Sequence, residues 1–381
     1  MIAVIKFIDK RIGNVICRFL GIFSRKSAAK YVDLSPKKIL VIQLWGIGET
    51  VLTLPAIEAL RLKYPQSRIE ILTTSRNKDV YFENKNINDT IQAKLNPFSI
   101  IWFILKNFRK YELAIDMEEY LNISSIITFF ASKFSVGFSH ESRSKLYTVK
   151  VAYNDKQHAA LTFLDLIKAI GTQYELKKLP GLNFSSKDKK FVDNFLKKNK
   201  IKKGDFLACV APGAAESAKS RMWPHERYAE LCDEMLARHN IKIIFAGTQN
   251  ESELIDEIIK KIEHKERAIN SAGKVSLIQL FYLVSKCRIF IGNDSGPMHI
   301  AAAQGVKTLG LFGPNLPQRF GPFGEGNVGL YKGYNCEFSP CVNVHKGQVP
   351  DCLYPRNSND YQKCMKNINM NDVVKEVEKM I

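Results

Sequence analysis

The residues best suited to chemistry lie in Asp294-Ser-Gly-Pro-Met-His299, between two runs, Ile289–Ile291 and Thr308–Phe312, that are apolar on both faces. Such runs suit buried strands of a parallel sheet covered by helices. Asp294 and Ser295 stand where a helix N-cap belongs, and Pro297 suits the first turn that Gly296 opens. A helix starting there presents backbone N–H groups beside a positive dipole end, and together these bind anions. His299 falls one turn further on, close enough to share such an anion. A capped helix that merely packs is the plain alternative; the small-residue run Ala301-Ala302-Ala303 and the histidine argue against it.

A second loop of this kind comes early. Lys38–Leu44 is a strand by composition, Trp45-Gly46-Ile47-Gly48-Glu49 is the turn after it, and Thr50–Tyr64 carries leucines and isoleucine at helical spacing. The glycines serve where the backbone must bend tightly or approach a ligand. The third glycine of a dinucleotide fingerprint is missing, and so is the lysine of a P-loop, which counts against both sites.

Asp294-Ser-Gly-Pro-Met-His299, followed by Ala301-Ala-Ala-Gln-Gly305 and Phe312-Gly-Pro314, resembles the signature of glycosyltransferase family 9, the ADP-heptose:lipopolysaccharide heptosyltransferases. The resemblance covers roughly Lys38 to the C-terminus. It implies an inverting, metal-independent transfer of heptose from an ADP-activated donor to a lipopolysaccharide core or other lipid-linked acceptor, with no cofactor. It also implies that Glu49, where family members usually have Asp, is the catalytic base. An acceptor hydroxyl must lose its proton as it attacks an anomeric carbon, and a helix N-terminus keeps a carboxylate ionised. A first-turn capping charge is the other reading of Glu49. On the donor side the resemblance points to Gly213, Ala214 and Ala215, to Arg221 just before Trp223-Pro224 with Lys219 nearby, to Glu251, and to Asp294, Ser295, Gly296, Pro297 and His299. Arg221 brings a planar fork suited to phosphate. Glu251 reads equally as a plain helix N-terminal charge. Gly46, Gly48, Arg76, Lys78, His140, Arg143 and Lys145 are candidates for the acceptor; each of these charges reads as well as a solvated surface group.

Strand and helix patterns alternate through the chain, and the alternation occurs twice. The expectation is an α/β protein of GT-B type, two Rossmann-like domains with parallel sheets facing across a cleft. Residues 36–185 would form the acceptor domain and 186–368 the nucleotide-sugar domain, with a C-terminal helix over 369–381. Strands are expected at 69–73, 112–116, 135–138, 206–211 and 241–246 besides those named. An apolar helix over Phe98–Phe108 reads as core, Ser139–Asp155 as a polar loop, and Asn315–Gly329 as irregular.

Residues 1–35 stand apart. Ile5, Ile8, Ile12, Val15, Ile16, Phe19, Leu20 and Phe23 recur at helical spacing, and seven basic residues face Asp9 alone. No uninterrupted apolar run approaches the roughly 20 residues that span a bilayer. A basic amphipathic helix of this sort suits an anionic membrane surface, or packing on the protein's own body. The chain of 381 residues carries 56 basic and 38 acidic side chains, a net charge of +18 that favours polyanionic partners. Aromatics interleaved with Arg and Lys are lacking, so nucleic acid is not the expected one. A scaffold on the same fold, suggested by Glu49 in place of Asp, and a different sugar donor or acceptor are the alternatives. Cys336, Cys341, Cys352 and Cys364 lack the close pairs of a zinc ribbon, and no metal is expected. Without a cleavage site after the first apolar residues, the expected location is the cytoplasm, peripheral on the inner face of the cytoplasmic membrane.

Overall fold

A computed structural model describes residues 8–24 and 35–381. Residues 1–7 and 25–34 lie outside the described residues, and with them part of the expected basic helix and its linker. The chain divides into two compact units, Met1–Leu176 with Val344–Gly347, and Lys177–Asn343 with Gln348–Ile381.

The first unit opens with α1, π-helical over Asp9–Gly13 and α-helical over Asn14–Leu20. There follow β1 (Lys38–Ile42), α2 (Ile47–Lys63), β2 (Arg68–Thr73), β3 (Asp89–Gln92), α3 (Pro97–Lys106) and β4 (Tyr111–Asp116). The unit continues with α4 (Asn122–Ala131), β5 (Ser132–Phe138), β6 (Val149–Val151) and α5 (Ala159–Lys168). The strands pair in parallel in the order β3-β2-β1-β4-β5-β6. Ile39, Leu40, Val41 and Ile42 are wholly buried, as a central strand with helices on both faces requires.

The second unit repeats the plan. Its helices longer than one turn are α6 (Ser186–Lys198), α7 (His225–Arg238), α8 (Ser252–Lys261), α9 (Leu277–Ser285), α10 (Gly296–Ala303) and α11 (Met370–Met380). Its strands are β7 (Phe206–Ala211), β8 (Ile241–Phe245), β9 (Ala268–Asn270), β10 (Ile289–Asn293), β11 (Lys307–Phe312) and β12 (Val328–Tyr331). They form a parallel sheet in the order β12-β11-β10-β7-β8-β9. Val373, Val377 and Met380 of α11 join this unit's core beside Leu236 and Ile241.

Three expectations need correction. The stretch 139–155 is not one loop: it holds a 3-10 helix, Glu141–Leu146, and the edge strand β6. Residues 315–329 run into β12 rather than staying irregular. The aromatic face of α3 is not core. Phe98 is 86%, Trp102 67% and Leu105 68% exposed.

Candidate active site

In a doubly wound sheet the carboxyl ends of two neighbouring strands part where the strand order reverses, and ligands bind in the crevice left there. In the first sheet that point lies between β1 and β4, in the second between β7 and β10. The two loops singled out above follow β1 and β10.

After β1 the chain turns at Gly46, whose φ of +70° only glycine adopts without strain. Glu49 is the third residue of α2, and its carboxylate folds back over this glycine. A Cβ on Gly46 would lie 1.9 Å from Glu49 Oε2. The turn is held from both sides. Asn77, fully buried, donates from Nδ2 to the Gln43 carbonyl and to Thr50 Oγ1, each at 2.9 Å. Thr74 Oγ1 donates to the Leu44 carbonyl at 2.9 Å. From beyond β4, Glu118 Oε1 accepts the backbone N–H of Leu44 and, at 3.0 Å, that of Trp45. Burial pushes the Glu118 carboxyl up to about 8, against the lowering effect of the Leu44 N–H. Burial thus biases Glu118 toward its protonated form. Arg76 lies over the Trp45 ring, 5.1 Å from its centroid, and Lys78 is exposed.

Other acceptor candidates separate. Arg143 is wholly buried, and its Nη2 donates to Asp116 Oδ2 at 2.9 Å, Tyr147 OH at 2.6 Å and Ser124 Oγ at 3.1 Å. This guanidinium is a structural cation that compensates a buried aspartate, and it leaves the acceptor set. Breaking such a pair from one side costs about 3–5 kcal/mol, because a buried charge is left alone. Arg143→Met is accordingly expected to lose that much stability in urea unfolding, and Arg143→Met/Asp116→Leu to recover most of it. Lys145 is exposed and lines a cleft of about 780 Å³ with Lys10, Arg11, Asn14 and Arg18. His140 lies 6.3 Å, ring to ring, from His345, which stacks on Tyr153 at 4.3 Å. Tyr153 in turn donates to Glu119 Oε1 at 2.6 Å.

In the second unit one side chain joins the two loops at the switch point. Asn293, the last residue of β10, is fully buried and donates from Nδ2 to the carbonyls of Pro212 (2.7 Å) and Gly213 (3.2 Å). Its Oδ1 accepts the Trp223 N–H at 2.9 Å and the Tyr228 hydroxyl at 3.0 Å. The loop from Pro212 to Trp223, with Gly213, Ala214, Ala215, Lys219 and Arg221, is thereby tied to the start of α10. Lys219 is exposed. Glu251 caps a helical turn and also lies beside the glycine loop. Its Oε2 accepts from Thr248 N (2.6 Å) and Oγ1 (2.8 Å) in a capping box. A Cβ on Gly213 would meet its Oε1 at 1.8 Å, so the carboxylate lies against the glycine loop.

At the head of α10, Ser295 is the N-cap, yet its side chain makes no capping bond. Its Oγ is buried with no hydrogen-bond partner among the described residues. Asp294, expected as a cap, is committed elsewhere: its Oδ2 receives Arg221 Nη1 at 3.0 Å and Asn315 Nδ2 at 2.9 Å. Arg221 is 14% exposed, and its Nε is buried without a partner among the described residues. A helix start without a side-chain cap, with a guanidinium fixed beside it by Asp294, offers N–H donors of the kind that bind phosphate oxygens. His299 is buried in the first turn at 3% exposure, and Ser295, Gly296 and Pro297 are partly accessible. Among the described residues no group of three or more His, Cys, Asp or Glu is placed to hold a metal ion. All eight cysteines are free thiols.

Sequence reasoning passed over Asn77, Glu118, Asn293 and His345. The signal for Glu118 was present, since Asp116-Met-Glu-Glu119 follows directly on a strand. For the two asparagines it was position alone, at or just past a strand's carboxyl end.

Two doubly wound units of this strand order have the fold of the GT-B glycosyltransferases. The chain is similar to the crystal structure of the glycosyl transferase family 9 from Veillonella parvula DSM 2008, with a TM-score of 0.76 and 23% identity over 92% of this chain and 99% of that one. It is also similar to the structure of E. coli ADP-heptose lps heptosyltransferase II, with a TM-score of 0.69 and 19% identity over 90% and 98%. The lipopolysaccharide core heptosyltransferase OpsX of Haemophilus influenzae is 26% identical over 301 residues, 76% of this chain and 82% of that one. The model of glycosyltransferase family 9 (heptosyltransferase) matches residues 105–346, and the chain belongs to that family. It is a glycosyltransferase enzyme.

Proposed function

We propose that this enzyme is an inverting heptosyltransferase that moves heptose from ADP-heptose to a lipopolysaccharide core acceptor at the inner face of the cytoplasmic membrane. In this reading the second unit takes the nucleotide sugar. Arg221 and the open start of α10 stabilise the diphosphate as negative charge gathers on it, and His299 bonds a phosphate oxygen. The first unit takes the acceptor, with Glu49 removing the proton from its attacking hydroxyl and Arg76, Lys78, His140 and Lys145 meeting its anionic groups. Preorganised donors aimed at developing charge are a leading source of catalysis, and with them in place the leaving group needs no metal. The basic segment at the N-terminus holds the enzyme to the anionic surface that carries the acceptor.

The observation that carries this reading is the helix start at Ser295–Gly296, left without a side-chain cap beside Arg221. Two of the relatives above bear names that specify heptose transfer to lipopolysaccharide, and that supports the choice of sugar and acceptor. The test is a donor screen with ADP-, UDP- and GDP-sugars, read as nucleotide release in the presence of a heptose-deficient lipopolysaccharide. ADP-heptose should turn over in preference to the rest. Preferred turnover of a UDP- or GDP-sugar would overturn the donor, and nucleotide binding without any turnover would overturn the enzyme reading itself.

A further inference from the structure

Helix α3 is apolar on both of its long faces. Ile100, Phe103 and Ile104 face the protein and pack on the core of the first unit, against Leu44, Leu72 and Ile127 among others. Phe98, Ile101, Trp102 and Leu105 form the opposite stripe at the i, i+3, i+4, i+7 spacing, and all of them are more than half exposed. A helix that only covers a sheet carries polar residues on its outer face, and α3 carries none among these four.

The stripe continues beyond α3. Phe108, 59% exposed, lies 6.4 Å from Phe130, which meets Phe129 edge-on at 5.2 Å. Phe129 and Phe23 line one small pocket together with Arg109. Ile104 of α3 and Leu20 of α1 pack on the same small cluster, formed by Cys17, Ile126 and Leu146. So α1 and α3 both pack beside α4, and each exposes apolar residues there. Helix α1 adds Ile12, Val15 and Phe19, and the turn after it Phe23, all more than half exposed. Its small face, Gly13 and Cys17, packs inward, and Asp9 caps α4 through the N–H groups of Asn122 (2.9 Å) and Ile123 (2.8 Å). The apolar face of α1 therefore looks away from the body it is docked to.

Basic groups border this surface. Lys106 and Lys110 are exposed at the end of α3, and Lys10, Arg11, Arg18 and Lys145 line the cleft beside α1, where Glu141 is the acid in the lining. The charge selects the occupant. A second copy of the chain on the same face would bring two basic borders together, whereas an anionic bilayer complements them. Aromatic and aliphatic side chains on one face with lysine and arginine beside them match a helix lying in the headgroup layer. No helix among the described residues is long and apolar enough to cross a membrane, so attachment through them would be interfacial.

We infer that α3 is a membrane-insertion element, with Phe98 and Trp102 as its anchors, and that it forms one bilayer-docking face with α1. This goes beyond attachment by the N-terminal segment, because it assigns the deeper contact to a helix in the middle of the first unit.

The test is flotation of the full-length protein with vesicles of phosphatidylcholine alone and of phosphatidylcholine with phosphatidylglycerol. The wild type should float with the second and hardly with the first. Phe98→Ser/Trp102→Ser should lower its partitioning by about tenfold or more, while sugar transfer to a water-soluble acceptor stays unchanged. In a second arm, phosphatidylglycerol vesicles with brominated acyl chains should quench Trp102 fluorescence. Trp102→Phe should still float and lose that quenching. Equal flotation of the double variant and the wild type, or quenching that persists in Trp102→Phe, overturns the inference. So does failure of the wild type to float, or a dimer in solution that only the double variant disrupts. The transfer assay is read on the same samples, so loss of membrane binding and failure of the heptosyltransferase reading are told apart.

Discussion

Glu49→Gln is expected to reduce sugar transfer by about 10²–10⁴-fold, the usual contribution of a positioned general base, and to leave ADP affinity within about twofold. This substitution discriminates because Glu49 has two possible duties. At the third position of α2, with its carboxylate over Gly46, it could serve simply as a helix-capping group. Glutamine serves almost as well in that position but cannot take a proton from an attacking hydroxyl at neutral pH. If capping is the whole role, Glu49→Gln melts and transfers like the wild type. If Glu49 is the base, melting is preserved and transfer is lost. Glu49→Asp tests reach: it should restore much of the activity if the shorter side chain still meets the hydroxyl. Single-turnover transfer with saturating donor, alongside ADP titration by calorimetry, measures both quantities. Glu118, the carboxyl that reaches this loop from beyond β4, is biased by burial toward its protonated form and is already engaged by backbone N–H groups, which makes Glu49 the better candidate.

The sequence was most readable where burial leaves a simple pattern. All eight interior strands show as apolar runs, because a strand between two neighbours and beneath helices on both faces has no polar side. The strands passed over are β3, β6, β9 and β12, and each lies at an edge of its sheet. Edge strands are short and half-solvated: Asp89-Thr-Ile-Gln92 and Val149-Lys-Val151 look like loop. The candidate site divides in the same way. Glycine turns and helix starts have local signatures, so Gly46, Gly213 and Ser295–Gly296 could be found. The side chains that fix those turns act across the sheet, and Asn77 and Asn293 have no local signature beyond their place at or just past a strand's carboxyl end. Arg143 failed for a related reason. A lone arginine in a polar stretch reads as surface, and only the tertiary structure supplies Asp116 as its buried partner.

Arg221→Ala is expected to have the second large effect, and two consequences must be kept apart. The guanidinium holds Asp294 Oδ2 at 3.0 Å, and Asp294 is 4% exposed. Removing the arginine leaves a buried carboxylate with Asn315 as its remaining partner of the pair, a loss of about 3 kcal/mol or more in stability. That negative charge would also stand at the head of α10, where the substrate's own negative charge is proposed to bind. Transfer should fall by about 10²–10³-fold, as when one donor to a developing oxyanion is lost, and ADP should bind more weakly. Arg221→Ala/Asp294→Ala separates the two effects: stability should recover, because no buried charge is left alone, but transfer should not. Arg221→Lys keeps the charge and can still pair with Asp294, so it should melt near the wild type. Lacking the planar fork that meets two oxygens at once, it should transfer more slowly. If the double variant regains wild-type transfer along with its stability, Arg221 serves the fold and not the departing diphosphate.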